Sequence, residues 1–87
     1  MEIVVEKIIP VRKQDSKVKA FCSVRIGEIM INDIRLMESK NGMFIAFPSK
    51  TIQFRGQTSY VPYCEIVDKK LLKEVHHIVY TAYTEKI

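Results

Sequence analysis

Lys69, Lys70 and Lys73 are the residues of this chain whose type and spacing best suit a chemical task. They fall in the first turns of a segment that reads as a helix, where backbone N–H groups lack intrahelical partners and the macrodipole places partial positive charge. Cations in the first turn are unfavourable by about 0.3 to 1 kcal/mol each, a sign that invites a functional reading of Lys69 and Lys70. Ammonium groups beside exposed N–H groups make a phosphate site. Lys50 and Arg55 flank an irregular stretch in which Phe54 or Tyr60 offers a ring for stacking an unpaired base. The competing reading of all five cations is ordinary solvated charge on a basic protein.

No catalytic constellation accompanies them. The adjacent His76 and His77 point about 100° apart on a helix and cannot chelate one metal as an i, i+4 pair does, so they read as solvent-facing. Cys22 and Cys64 stand far apart, outside any Cys-x-x-Cys pair, and read as buried thiols. A nucleophilic pairing of Cys64 with His76 has no local signature behind it. Glycines at 27, 42 and 56 are spaced for turns and not for a phosphate-cradling loop. Asp33 and Arg35, two apart on a strand, share a face and suit an ion pair. The expectation is a protein that is not an enzyme, with no metal and no cofactor.

Stepping from these residues to the frame that holds them, 87 residues suffice for one domain over 1–87. A chain of that length hides only about 60 to 65% of its unfolded surface, so a partner chain would add stability. Apolar residues make up 47%, which excludes a disordered tail, and no apolar run approaches the roughly 18 residues of a membrane span. The start, Met1-Glu2-Ile3-Val4-Val5, lacks the basic region and small-residue cleavage site of a secretory signal, and the expected location is cytoplasmic. Fourteen Lys and Arg against ten Asp and Glu give a net charge of +4, which favours polyanionic partners.

The patterning predicts an α+β domain. Ile3 to Ile9, bounded by Pro10, reads as a strand. Val18, Ala20, Cys22, Val24 and Ile26 alternate with more polar neighbours, the period of a second strand with one buried face. Gly27-Glu28 fits a type II′ turn. A third strand, Ile29 to Met37, would put Ile29, Ile31, Asp33, Arg35 and Met37 on one face and Met30, Asn32, Ile34 and Leu36 on the other. Asn41-Gly42 suits a hairpin with positive φ at both central positions, leading into a fourth strand from Met43 to Phe47. Residues 48–58 read as a mobile loop, and Ser59 to Cys64 as a short fifth strand confined by Pro62 to an edge. Leu71, Leu72, Val75, Ile78, Val79, Ala82 and Tyr83 line one face of a helix from about Lys69 to Tyr83, with Asp68 as its N-cap. The sum is a curved antiparallel sheet of four to five strands, one face covered by a C-terminal amphipathic helix.

One stretch also carries a resemblance. Asn32-Asp33-Ile34-Arg35-Leu36-Met37 followed by Asn41-Gly42-Met43-Phe44-Ile45-Ala46-Phe47-Pro48-Ser49-Lys50 resembles the signature of the stage V sporulation protein G (SpoVG) family, which reads Asp-Ile-Arg, a Gly-containing turn, then Gly-Leu-Phe-Val-Ala-Met-Pro-Ser-Lys/Arg. The likeness extends over nearly the whole chain, taking in the first strand, Lys17-Val18-Lys19-Ala20 and the final helix. It implies a small homodimer that binds DNA and RNA and acts in gene regulation, sporulation and placement of the division septum. It also implicates the basic start of the C-terminal helix in nucleic-acid binding, which carries over to Lys69 and Lys70. The chain departs from the pattern at Val61-Pro62-Tyr63-Cys64, where members have a His-Pro-Ile-Asn-like stretch. It departs again at Gln53 to Gln57, where they carry an acidic loop, and at Gly27-Glu28, where their connection is one residue longer.

Two readings of function follow. In one, a dimeric nucleic-acid-binding regulator neutralises phosphates with Lys50, Arg55, Lys69, Lys70 and Lys73. In the other, an exposed edge strand or helix face docks a protein partner in cell division, and nucleic-acid binding is incidental. Dimerisation through strand pairing or helix exchange would cover the edges and apolar surface of so small a sheet.

Overall fold

Six strands and one helix account for most of the chain. The computed structural model describes residues 2–87. In order, the elements are β1 (Ile3–Pro10), β2 (Val18–Ile26), β3 (Ile29–Ser39), β4 (Gly42–Ala46), β5 (Ser49–Phe54), β6 (Gln57–Pro62) and α1 (Lys69–Lys86). The first four form an antiparallel meander in sequence order, and β5 and β6 pair separately. The main sheet therefore has four strands, and the expected fifth strand belongs to a second, two-stranded sheet.

The core lies between the meander and α1. It is built from Ala20, Cys22, Val24 and Ile26 of β2, Ile34 and Leu36 of β3, and Val75, Val79 and Tyr83 of α1. The alternation of β2 and the 3.6-residue spacing of α1 produce this, each presenting one apolar side to the other. Ile3, Val5 and Ile8 of β1 pack against the same cluster, so the first strand meets the last helix. The opposite face of the sheet is uncovered, leaving Ile9, Phe21 and Phe44 exposed.

Bulges curve the sheet. Cys22 pairs with Ile34 while Val24 pairs with Ile31, so Asn32 and Asp33 together oppose Ser23. Asp33 accommodates the extra residue with φ at 60°, and Ser23 Oγ donates to Asn32 Oδ1 at 2.9 Å across the bulge. The strict alternation expected of β3 is thus broken: Ile31 and Ile34, placed by the pattern on opposite faces, both reach the core. Further shifts occur between Val5 and Lys7 of β1 and between Val18 and Ala20 of β2. Such insertions bend a strand and deepen its twist, wrapping the sheet around the helix.

The turns correct the sequence reading once and support it once. Gly27 has φ at 60° and Glu28 does not share the left-handed region, the arrangement of a type II′ turn between Ile26 and Ile29. At the next turn Ser39 pairs with Gly42, so the central residues are Lys40 and Asn41, neither with positive φ. Ser39 Oγ supplies the local bonds instead, accepting from the Asn41 N–H at 3.3 Å and donating to the Gly42 carbonyl at 2.8 Å. Positive φ at both central positions occurs at Arg55 and Gly56, at 51° and 76°, which join β5 to β6 as a type I′ turn.

Residues 48–58 are accordingly no loop. Thr51, Ile52, Phe54, Thr58, Tyr60 and Val61 favour extended backbone, and the left-handed Arg55-Gly56 turn supplies the twist that lets them pair. Pro62 stands at the end of β6, where its missing N–H is harmless. The helix runs to Lys86, beyond the Tyr83 expected from the apolar stripe, because Thr84-Glu85-Lys86 extend it as a polar turn. The Asp68 carboxylate accepts from the Lys70 N–H at 2.8 Å and the Leu71 N–H at 3.1 Å, the N-cap the sequence suggested. Among the described residues no helix is long and apolar enough to cross a membrane.

Candidate nucleic-acid interface

The capped helix start and the β5–β6 ribbon carry the five cations singled out above. Asp68 fixes the first turn, so Lys69, Lys70 and Lys73 project from a defined backbone and all three are exposed. Lys69 and Lys73 are one turn apart on the same side of α1, and Lys70 is rotated about 100° from Lys69. Lys73 also borders an open groove between α1 and β4, with Gly42, Met43, His76, His77 and Tyr80. The ribbon closes at its base where the Tyr63 N–H donates to the Pro48 carbonyl at 2.8 Å. Lys50 sits beside that base, paired with Val61. Arg55 occupies the tip, five residues or about 17 Å further along the strand. Lys50 and Arg55 thus mark the base and the tip of the ribbon.

Charge pairing separates these residues from three of the other cations. Arg25 bonds Glu2 at 3.1 Å and lies 3.9 Å from Glu6, Lys19 lies 3.7 Å from Glu38, and Arg35 lies 3.6 Å from Asp33. The last of these is the ion pair expected for Asp33 and Arg35, here formed across the bulge. Lys50, Arg55, Lys69, Lys70 and Lys73 have no ion-pair partner among the described residues. Lys19, Arg25 and Arg35 are thus partly neutralised, whereas the five cations at the helix start and ribbon keep their charge available to a polyanion, as do Lys7, Arg12, Lys13, Lys17, Lys40 and Lys86 elsewhere on the surface.

The aromatic residues divide by register. Lys50, Ile52 and Phe54 share one ribbon face with Val61, Ser59 and Gln57, while Thr51 and Gln53 share the other with Tyr60 and Thr58. Phe54 and Tyr60 are 69% and 73% exposed but lie on opposite faces, so one strand of nucleic acid cannot lie across both. The Arg55 guanidinium lies 5.2 Å from the centre of the Phe54 ring, a cation–π contact that holds the tip residue in place. Sequence reasoning missed Thr51, Gln53 and Thr58. The available signal was the absence of any Asp or Glu from Ser39 through Cys64.

The remaining candidates are structural or partly so. His77 is exposed as expected, but His76 is half-buried and its Nε2 atom is buried without a hydrogen-bond partner among the described residues. No group of three or more metal-ligating side chains comes together among the described residues. Cys22 is buried, and desolvation raises its thiol pKa from 9.0 to about 11, which suppresses the thiolate. Cys64 is only half-buried, a correction to its reading as a core thiol, and both cysteines are free.

Comparison with known proteins agrees with this architecture. The SpoVG family model matches residues 1–85. The chain is similar to "Putative septation protein SpoVG" of Macrococcus caseolyticus, 31% identical over 75 residues, which cover 82% of this chain and 60% of that protein. Proteins of the same name from Acetivibrio thermocellus and Brevibacillus brevis are 49% identical over 43 residues and 46% identical over 37. The matched stretches cover 46% of this chain and 46% of the first relative, and 41% of this chain and 39% of the second. The chain thus spans between 39 and 60% of the length of these curated relatives. With a family model covering all but its last two residues, the Asp-Ile-Arg element in β3 and Pro-Ser-Lys running into β5, the chain belongs to the SpoVG family.

Proposed function

We propose that this protein is a cytoplasmic, homodimeric nucleic-acid-binding regulator acting in gene regulation and control of division-septum formation. The observation that carries the reading is the group of unpaired, exposed lysines on a capped helix start, Lys69, Lys70 and Lys73. The three ammonium groups suit phosphate oxygens, the Lys70 and Leu71 N–H groups being already bonded to Asp68, and Lys50 adds a further cation at the ribbon base. Such contacts position a nucleic acid without reading its sequence. The septation role follows the name borne by the relatives. No catalytic step belongs to this reading.

Dimerisation has support in the two edges of the meander. β1 is guarded by Glu6, Lys7, Pro10 and a bulge, the usual deterrents to edge pairing. β4, Gly42-Met43-Phe44-Ile45-Ala46, carries no charge, no proline and no bulge. Its unguarded edge, together with the apolar ribbon face of Ile52, Phe54 and Val61, suits pairing with a second copy. The same edge and the adjoining groove of Met43, Phe44, Ile45, Leu72 and His76 favour the second reading, a protein-docking module.

Fluorescence anisotropy of labelled DNA and RNA oligomers over roughly 50 to 200 mM salt separates the two. The regulator reading expects saturable binding with a steep salt slope, lost when Lys69, Lys70 and Arg55 are all changed to Glu. Binding unaltered by the triple substitution removes these residues from the site, and no binding at the lowest salt leaves the docking reading.

A further inference from the structure

We infer that the β5–β6 ribbon is a groove reader for duplex DNA, with Thr51, Gln53, Thr58 and Tyr60 as the side chains that meet base edges. The inference rests on the nucleic-acid reading above and adds to it the part that would distinguish one sequence from another.

Four observations converge on the ribbon. First, it stands clear of the body: every residue from Lys50 to Tyr63 is exposed, on both ribbon faces. A two-stranded hairpin with nothing packed on it is marginally stable in water, so its exposed sides suit covering by partners, the apolar side chains by the second copy proposed above and the polar strip by nucleic acid. Second, its size fits. Six residues per strand give a length of about 20 Å, and two strands lie about 4.8 Å apart. The major groove of B-DNA, about 12 Å wide, admits a two-stranded ribbon, whereas the deep, narrow major groove of A-form RNA does not.

Third, the charge is suited to a polyanion. The chain has ten acidic residues, yet none occurs from Ser39 through Cys64, a span that includes the entire ribbon. A ribbon carrying carboxylates would be repelled from between two phosphate backbones. Arg55 at the tip, held out by the left-handed turn and by its contact with Phe54, is free to meet phosphate, while Lys50 lies at the base on the face opposite the polar strip.

Fourth, the two faces are chemically distinct. The register puts Thr51 opposite Tyr60 and Gln53 opposite Thr58, so one face is a strip of four uncharged hydrogen-bonding side chains. Gln can bond adenine N6 and N7 in a bidentate manner, and Thr hydroxyls can donate or accept at either kind of base pair. The other face mixes Ile52, Phe54 and Val61 with Lys50, Ser59 and Gln57, and its exposed apolar side chains suit contact with protein. Helix-start lysines would grip phosphate and set register, while the polar strip selects sequence.

The test uses the full chain and a randomised DNA duplex of about 20 base pairs, roughly two helical turns. Bound molecules are recovered, amplified and sequenced over successive rounds. Wild type is expected to enrich a motif and to prefer it over a scrambled duplex. Gln53→Ala with Thr58→Val should reduce that preference at least tenfold, leaving affinity for the scrambled duplex and the salt slope unchanged. Gln57→Ala with Ser59→Val, on the opposite face of the same strands, should leave preference intact and so controls for damage to the ribbon. Duplex RNA of the enriched sequence should compete poorly.

Steeply salt-dependent binding without an enriched motif overturns the inference but leaves the phosphate-binding reading standing. So does equal competition by duplex RNA, or loss of preference in the opposite-face variant alone. Failure of the wild type to bind any nucleic acid at 50 mM salt overturns both.

Discussion

Replacing Lys69 and Lys70 with Glu should make the protein more stable and a poorer ligand for nucleic acid at the same time. Both side chains lie in the first turn of α1, which contains no acidic residue, beside N–H groups that the Asp68 cap satisfies only in part. Removing each cation relieves about 0.3 to 1 kcal/mol, and each new carboxylate gains a similar amount from the dipole. At exposed positions the low end applies, for a gross gain of about 1.2 kcal/mol. Repulsion from Asp68, and from Glu74 one turn below Lys70, offsets about 0.2 to 0.5 kcal/mol of this. The net gain is about 0.7 to 1 kcal/mol, or roughly 3 to 8 °C in Tm for a chain of this length. Thermal melts at fixed protein concentration measure it, and 1 M salt should abolish most of it by screening. Anisotropy on the same preparations should give a salt slope shallower by about 1.8, two phosphate contacts at about 0.9 each. A variant that gains stability yet binds DNA with the original slope would show that the lysines do not touch phosphate. A variant that loses stability would refute the dipole argument itself.

Other perturbations test the frame. Val79→Ala removes buried volume where α1 meets the sheet and should lower stability by about 1 to 3 kcal/mol, read as a reduced urea midpoint with an unchanged slope. Gly56→Ala meets no atom within 4 Å but holds φ at 76°, so its cost of about 1 kcal/mol is confined to the backbone. It should accelerate amide exchange in β5 and β6 more than in β2. Burial raises the Cys22 pKa from 9.0 to about 11, so the folded chain retains a proton that the unfolded chain releases between those values. Stability from this group is complete below pH 9 and declines as pH rises towards 11, by about 3 kcal/mol at most. Comparison of urea midpoints at pH 8 and 10.5 in wild type and Cys22→Ala checks the sign.

The elements legible in the sequence were those governed by a single dominant interaction. β2 and α1 each have one apolar face against one core, so period two and period 3.6 predicted Val24 and Val79 as partners in the same cluster. Asp68 was legible because its cap is a bond to the next few residues. β3 was legible as a strand but not in its facing, since the bulge at Asn32-Asp33 arises from register against β2 and not from local preference. The first half of the ribbon was hidden for a different reason: Ile52 and Phe54 alternate with Thr51 and Gln53 over only four residues before the turn, while the second half was legible as the strand read from Ser59. Arg55-Gly56 was a left-handed turn without the Asn-Gly signal, while the actual Asn41-Gly42 pair was displaced by one residue by the bonds of Ser39. Among the candidate site residues, the helix lysines were visible from type and position. The polar ribbon strip emerged only once pairing defined its faces.

The meeting of β1 with α1 also bears on how the chain acquires its structure. Neighbouring strands of the meander can zip locally, so the early steps require little search. Yet the apolar side of β2 stays open until the 18 residues of α1 arrive, because the helix that covers it follows all six strands in the sequence. During synthesis the nascent sheet therefore leaves the ribosome unroofed, exposing Ala20, Cys22, Val24 and Ile26 at the stage most vulnerable to off-pathway association. A premature stop before Val75 would leave that state permanent, and its product should accumulate in aggregates or be removed by proteolysis and not persist as a smaller folded domain.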